Sequence, residues 1–224
     1  MLGKTVLVSG GKTDLFFAKK YFAGHSFDTV VCADSGLETA HALHLPVQYF
    51  MGDFDSVDGS LLEAYRQGNV ESGREAKWVQ YPKEKDFVDT QLVLEWILEQ
   101  GAEEIVILGG TGGRLDHFLA NVHLLMLPLA KNIPACLVDE RNRIRLTQDR
   151  MVLPRESLYG KYISFLPLTS QVTGVTLQGF YYPLQNYTLN IGFPRAVSNE
   201  LAPGADFGEV TLKKGTLIVI ESMD

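Results

Sequence analysis

Up to about residue 139 the chain alternates short β-branched runs with segments of helical period, and few folds other than a parallel sheet with crossover helices accept that alternation. The candidate strands are residues 5–9, 29–33, 47–51, 77–81, 104–108 and 135–139. One predicted helix follows Asp89 and carries Leu92, Val93, Trp96 and Ile97 on one stripe. A second places Leu115, Phe118, Leu119, Val122, Leu125, Met126 and Leu129 at intervals of three and four, and both helices are expected to face a core.

Beyond Asp139 the alternation stops. Short extended runs at 143–147, 162–167, 172–177, 187–191, 209–213 and 216–221 are separated by Gly, Pro, Asn and Asp, the spacing of an antiparallel sandwich or barrel. The string Asp139-Glu140-Arg141-Asn142-Arg143 interrupts the apolar pattern and sets the expected boundary, with an α/β domain at 1–140 and a β domain at 141–224. With 46% hydrophobic and 21% charged residues over 224 positions, the composition is that of a globular protein with a sizeable core. No run of eighteen apolar residues occurs, and Met1-Leu2-Gly3-Lys4 leads directly into Thr5-Val6-Leu7-Val8, so a cytoplasmic location without membrane contact is expected. Cys32 and Cys136 both sit in apolar runs and read as small hydrophobes. The net charge of −7 excludes broad nucleic-acid binding, which needs a basic surface. It leaves a nucleotide substrate open, because a divalent cation and a few local Lys and Arg residues can neutralise a polyphosphate.

Three acidic clusters lie at strand ends or helix starts: Asp53-Phe54-Asp55-Ser56, Asp86-Phe87-Val88-Asp89, and Asp116 behind the glycines of 109–113. In open α/β sheets such junctions gather along one crevice, so one magnesium-phosphate site is the economical reading. An extended backbone would point Asp53 and Asp55 to the same side, as magnesium requires; the alternative is an Asx-type turn. Asp86 can instead cap the helix that follows, with Asp89 in its first turn and Lys83 and Lys85 upstream as phosphate ligands or solvated charges. Gly11-Lys12-Thr13 ends like a P-loop, but Val6 stands where the first glycine is needed. Leu115 likewise breaks the dinucleotide fingerprint after Gly110-Thr111-Gly112. Four glycines within 109–113 mark close approach of backbone to something else; a phosphate at the following helix, bridged by Arg114, is the functional candidate, and tight strand-helix packing the structural one.

Taken in order, Gly52-Asp53-Phe54-Asp55-Ser56, Lys85-Asp86-Phe87-Val88-Asp89-Thr90-Gln91 and Gly109-Gly110-Thr111-Gly112-Gly113-Arg114-Leu115-Asp116-His117 resemble the motifs of the thiamine pyrophosphokinases. Ala33-Asp34-Ser35-Gly36 and Val197-Ser198-Asn199-Glu200 extend the resemblance to essentially the whole chain. It implies an α/β domain binding ATP and Mg2+, a C-terminal β-sandwich serving thiamine binding and dimerisation, and a homodimer with shared sites. It further implies transfer of the pyrophosphoryl group of ATP to thiamine, giving thiamine diphosphate and AMP. Carried across, Asp53, Asp55 and Asp89 hold magnesium with Asp34 and Asp86 nearby; Asp34, Ser56, Lys83, Lys85, Gly110, Thr111 and Arg114 serve ATP; and Gln91, Asp116, Ser198 and Asn199 face thiamine. Arg114 stabilises developing charge, and Asp89 or Asp116 accepts the hydroxyl proton. Two positions depart from the family, Val88 where Thr is common and Ser35 where Gly is common. Tyr181, Tyr182 and Phe193 are available as ring surfaces for a cationic substrate, the alternative being core or edge packing in the β domain. The competing functions are a phosphohydrolase with Asp53 as nucleophile and Asp55 as acid, and a sensor that binds without turnover.

Overall fold

A strand buried on both faces needs a continuous apolar run, and that requirement places the parallel sheet of the first half. The structure, a computed structural model, describes residues 1–55, 57–68, 70, 72, 76–80 and 89–224, with the side chains of Gln80 and Asp89 outside that description. The chain divides into two compact units, Met1–Glu140 and Arg141–Asp224. The first runs β1 (Gly3–Val8), α1 (Leu15–Gly24), β2 (Thr29–Ala33), α2 (Gly36–Ala42), β3 (Tyr49–Gly52), α3 (Gly59–Arg66), β4 (Lys77–Gln80), α4 (Asp89–Glu99), β5 (Ala102–Leu108), α5 (Leu115–Leu124), α6 (Met126–Ala130) and β6 (Ala135–Val138).

Its strands are all parallel and ordered β6-β5-β1-β2-β3-β4. Val6, Leu7 and Val8 of β1 and Ile105, Ile107 and Leu108 of β5 are fully or almost fully buried. Each such side chain contributes roughly 1.5–3 kcal/mol, which fixes the central pair of the sheet. The chain winds from β1 toward β4 on one side and from β5 to β6 on the other. The order therefore reverses between β1 and β5, the point at which open α/β sheets leave a crevice beyond their strand ends.

The helices refine the sequence reading. Helix α1 begins where Asp14 Oδ1 accepts from the Phe17 amide at 2.7 Å, and α3 where Asp58 Oδ1 accepts from the Leu61 amide at 2.9 Å; both starts are side-chain caps. In α4 the buried face is Val93, Leu94, Ile97 and Leu98, one position round from the expected stripe, with Trp96 half-buried against Tyr49. The single helix expected over 115–129 is two, α5 and α6. Pro128 lacks an N–H and its ring would meet the Leu124 carbonyl, so the helix breaks at Leu125. Leu115 and Leu119, assigned to the core on periodicity, are 75% and 55% exposed, because α5 turns Asn121 and Val122 inward instead. Among the described residues no helix is long and apolar enough to cross a membrane.

The second unit forms two antiparallel sheets. One joins β7 (Asn142–Thr147), β9 (Tyr162–Pro167), β12 (Ala196–Asn199) and β14 (Leu217–Ser222) in the order β12-β9-β14-β7; the other joins β8 (Arg150–Pro154), β10 (Gln171–Gln178), β11 (Leu184–Asn190) and β13 (Phe207–Thr211) as β11-β10-β13-β8. Inward residues of both sheets, among them Phe165, Val172, Val175, Leu189, Val210 and Leu217, share one core, so the unit is a sandwich. The sequence pattern missed β8 and β12, whose exposed residues break their alternation.

One ion cluster locks β7 to β14. Glu221 pairs with Arg143 across the strands, and Arg143 and Arg145, two apart on β7, share its face. The Glu221 carboxylate is fully buried and accepts from Arg143 Nε at 2.9 Å, Arg143 Nη2 at 2.7 Å, Arg145 Nη2 at 2.6 Å and the Tyr159 amide at 3.0 Å. Burial alone would raise its pKa, but the Arg143 hydrogen bonds and the two cationic charges outweigh it and hold the acid below the ordinary glutamate value. A lowered folded pKa contributes stability above the unfolded value, and that contribution is lost as pH falls through the folded one. Glu221→Gln should therefore cost about 3 kcal/mol at pH 7, measured by urea unfolding. The gap between wild type and variant should narrow once the pH falls below the ordinary glutamate range; a gap constant from pH 7 to 3 would show that the charge is not what stabilises.

Candidate active site

The loops that leave β1 and β5 touch backbone to backbone. A Cβ on Gly11 would lie 2.1 Å from the Gly109 carbonyl oxygen, one on Gly109 2.4 Å from that of Ser9, and one on Gly112 2.2 Å from that of Lys12. The glycines of 109–113 are thus explained first by the neighbouring loop: what their backbone closely approaches is residues 9–12. The Ser9 amide donates to the Leu108 carbonyl at 2.8 Å, continuing the β1–β5 ladder into the loops. Gly113, with φ +92°, has no neighbour at its Cβ position and is required only for its backbone conformation.

These loops wall a cavity of about 400 Å³ with Ala33, Asp34, Ser35, Thr90, Arg114, His117 and Asn121. Ser9 and Thr90 share a buried hydroxyl–hydroxyl hydrogen bond of 3.1 Å, which ties the first turn of α4 to the end of β1. Asn121 Nδ2 donates to the Gly110 carbonyl at 2.9 Å, so Asn121 holds the β5 loop. Ser9, Thr90 and Asn121 had no assigned role in the sequence, since nothing local in it distinguishes a hydroxyl or amide that will meet a distant loop.

Asp34 joins this cavity to the Asp53 turn. Its Oδ1 accepts from the amides of Asp53 at 3.1 Å and Phe54 at 3.3 Å, and its own amide donates to the Met51 carbonyl at 3.1 Å. A Cβ on Gly52 would fall 1.8 Å from that Oδ1, so the carboxylate occupies space that only glycine leaves. Ser35, where the family commonly has Gly, sits at φ −64°, a conformation open to any residue, and its hydroxyl donates to the Gly10 carbonyl at 3.1 Å. The serine adds a bond to the turn.

The extended geometry expected for Asp53 and Asp55 is not what the chain adopts. β3 ends at Gly52, Phe54 has φ +61°, and Asp53 Oδ1 accepts from the Asp55 amide at 3.1 Å, which is the Asx-type turn. Phe54 is 5% exposed with its ring 5.2 Å from that of Trp78, itself 4.6 Å from Phe50. Burying the ring returns roughly 1.5–3 kcal/mol against about 1–2 kcal/mol for the left-handed backbone. Phe54 thus anchors the turn from below, leaving Asp53 half-buried and Asp55 exposed.

Arg114 and Asp116 form an exposed pair, Nε to Oδ1 at 3.1 Å and Nη2 to Oδ2 at 2.5 Å. The Arg114 hydrogen bond holds the Asp116 carboxyl down at about 2. Thr111 lies apart from the cavity, in a small recess with Thr13, Phe17 and Asp139. Gln91 Nε2 donates to Glu95 Oε1 at 3.0 Å along α4. Ser56, Lys83, Lys85, Asp86 and Val88 lie outside the described residues.

In the second unit Ser198, at φ +55°, sits in an irregularity of the β12–β9 register, its amide donating to Ser164 Oγ at 3.0 Å. Asn199 is buried and bonds Tyr182 twice, Oδ1 accepting from its amide at 3.0 Å and Nδ2 donating to its carbonyl at 2.8 Å. It lines a cavity of about 410 Å³ with Tyr182, Pro183, Leu184, Arg195, Ala196 and Val197. Tyr181 and Tyr182 are exposed, with ring centres 4.9 Å apart, and Phe193 is 75% exposed.

Among the described residues no three His, Cys, Asp or Glu side chains are grouped to hold a metal ion. Asp53 and Asp55 nevertheless offer what a magnesium ion takes: one or two hard carboxylates, the remaining positions filled by phosphate oxygens and water.

Residues 23–137 match a family model described as "Thiamin pyrophosphokinase, catalytic domain", and residues 146–217 one described as "Thiamin pyrophosphokinase, vitamin B1 binding domain". The thiamine pyrophosphokinase of Bacillus subtilis (strain 168) is 37% identical over 196 residues, 88% of this chain and 84% of that protein. The crystal structure of thiamine pyrophosphokinase from Bacillus subtilis superimposes with a TM-score of 0.83 at 32% identity, covering 99% of this chain and 100% of that one. That of thiamin pyrophosphokinase from Geobacillus thermodenitrificans gives 0.81 at 28% identity, covering 98% and 97%.

The glycine geometry predicts an ordering. Gly11→Ala and Gly52→Ala should each cost about 2–3 kcal/mol and weaken nucleotide binding, because a new methyl meets the Gly109 backbone carbonyl at the first and at the second must displace the Asp34 carboxylate from the turn it caps, at φ +147°. Gly113→Ala should cost about 1 kcal/mol, from its backbone alone. Thermal unfolding and nucleotide titration of the three variants would test this, and equal losses at Gly11 and Gly113 would refute the loop-packing account.

Proposed function

This chain belongs to the thiamine pyrophosphokinase family, and from that premise we propose which of its residues carry the reaction. The activity is transfer of the pyrophosphoryl group of ATP to the hydroxyl of thiamine, giving thiamine diphosphate and AMP. The observation that carries the assignment of parts is the cavity at the β1–β5 reversal, where the glycine loops, Asp34 and Arg114 converge.

In this reading the unit at 1–140 binds ATP and Mg2+, and the unit at 141–224 binds thiamine and dimerises. Amides of the 9–12 and 109–113 loops and the Arg114 guanidinium receive the phosphates, with Gly110, Ser56, Lys83 and Lys85 completing the ATP site, while Thr111, in its separate recess, serves the loop and not the nucleotide. Asp53, Asp55 and Asp89 hold the metal, which when bound neutralises phosphate charge. Asp34 acts through the turn it caps, setting the direction of Asp53. Gln91, Asp116, Ser198 and Asn199 serve thiamine, and the exposed Tyr181, Tyr182 and Phe193 offer faces for its cationic ring.

The thiamine hydroxyl attacks the β-phosphorus in line with AMP as leaving group, so positioning and charge neutralisation dominate and no covalent enzyme intermediate forms. Asp116, held at about 2, is a weak base at neutral pH; its work is to orient Arg114 and attract the cation. Proton acceptance then falls to Asp89, at the first position of α4, whose next residue Thr90 is bonded to Ser9. A homodimer with shared sites, placed in the cytoplasm, completes this reading; the exposed Phe16, Leu115, Leu119, Ile191 and Phe193 are apolar side chains of the kind that a second subunit covers.

Incubation with ATP, magnesium and thiamine should release AMP only when thiamine is present; phosphate release without thiamine would indicate a hydrolase, and no turnover a sensor. Asp53→Asn should lower kcat by about 100-fold or more and shift the magnesium dependence; an unchanged magnesium titration would remove Asp53 from the metal site. Because Asp116 is ionised throughout the range above about 2, Asp116→Asn should lower kcat/KM yet leave the pKa values of its pH profile between 5 and 9 unmoved. Loss of the acid limb in that variant would return the base role to Asp116.

A further inference from the structure

One buried polar atom in the cavity wall has no use in the fold. Asn121 is 5% exposed and lines the cavity, yet among the described residues its Oδ1 has no hydrogen-bond partner. Its orientation is fixed by chemistry: the Gly110 carbonyl can only accept, so the amide presents Nδ2 to it at 2.9 Å and turns Oδ1 away. A buried amide oxygen left unpaired is costly, and native structures rarely keep one without a guest.

The guest must bring an N–H or O–H. Phosphate oxygens are acceptors at neutral pH and would repel Oδ1, so the triphosphate cannot be what Asn121 meets. Apart from the His117 imidazole the other lining side chains are small, polar or charged, and hydroxyl, carboxylate and amide partners of that kind suit a sugar that carries its own hydroxyls. The cavity suits the nucleoside half of the phosphate donor, whose phosphates then extend along the glycine loops toward Arg114.

Resting on the reading of this cavity as the ATP site, we propose that Asn121 is a specificity-determining residue. Its Oδ1 accepts a hydrogen bond from the nucleoside, either from the amino group of the base or from a ribose hydroxyl. The same side chain then does two things at once: Nδ2 holds the β5 loop in its bound shape while Oδ1 reads the ligand.

Calorimetric titration with magnesium and without thiamine tests this independently of turnover. Wild type should bind ATP about tenfold or more tightly than at least one of ITP, 2′-deoxy-ATP and 3′-deoxy-ATP, and the weak analogue identifies the donor. Asn121→Ala also frees the β5 loop, so it should weaken both nucleotides, but ATP about tenfold more than that analogue, until the two bind alike. Asn121→Asp, which keeps an acceptor oxygen but loses the bond to Gly110, should retain the preference for ATP over the analogue, and it serves alone should the alanine variant not fold. The proposal is overturned if wild type binds all four nucleotides within twofold, if the variants weaken all of them equally, or if only the KM for thiamine moves. Failure to form AMP would defeat the functional reading and leave this titration intact.

Discussion

Everything at the candidate site depends on two peptide loops lying closer together than any side chain allows. Residues 9–12 and 109–112 meet through carbonyl oxygens at positions where a Cβ would come within 2.1–2.4 Å. The sheet causes this. β1 and β5 are adjacent parallel strands, so their C-terminal ends emerge side by side and their loops must share the space beyond. Glycine resolves the crowding, and the two loops together wall a polar cavity beyond the strand ends.

The carboxylates are organised by burial at a distance from themselves. Asp53 and Asp55 flank Phe54, whose ring packs on Trp78, and Asp34 reaches from the next strand to hold the amides of that turn. Two charged groups are thus presented by one apolar anchor and one acidic cap. A net charge of −7 on the chain makes the local arrangement matter more than the total: Lys12 and Arg114 both line the cavity, while Asp116 sits beside Arg114 with its charge retained to about pH 2.

Much of this was legible in one dimension, for reasons that can be named. The parallel strands were readable because burial on both faces demands uninterrupted apolar runs, as in Val30-Val31-Cys32-Ala33. Edge strands such as β12 were not, since half their residues face outward. Periodicity found α4 and α5 but misplaced their buried faces, because a stripe of leucines does not say which side meets a neighbour: Leu115 and Leu119 are exposed while the polar Asn121 is inside. The glycine run was recognised as a place of close approach, yet its nearest contact is another loop of the same chain.

By itself the sequence determined the fold class, the division into an α/β half and a β half, and a family-specific order of acidic and glycine-rich motifs, because these depend on local composition and spacing. Only the tertiary structure decided that Asp34 caps the Asp53 turn, that Ser9 holds Thr90, and that Asn121 faces the cavity with one oxygen unspent. Those are contacts between residues 19, 81 and 11 positions apart, set by which strands lie side by side, and no local pattern encodes them.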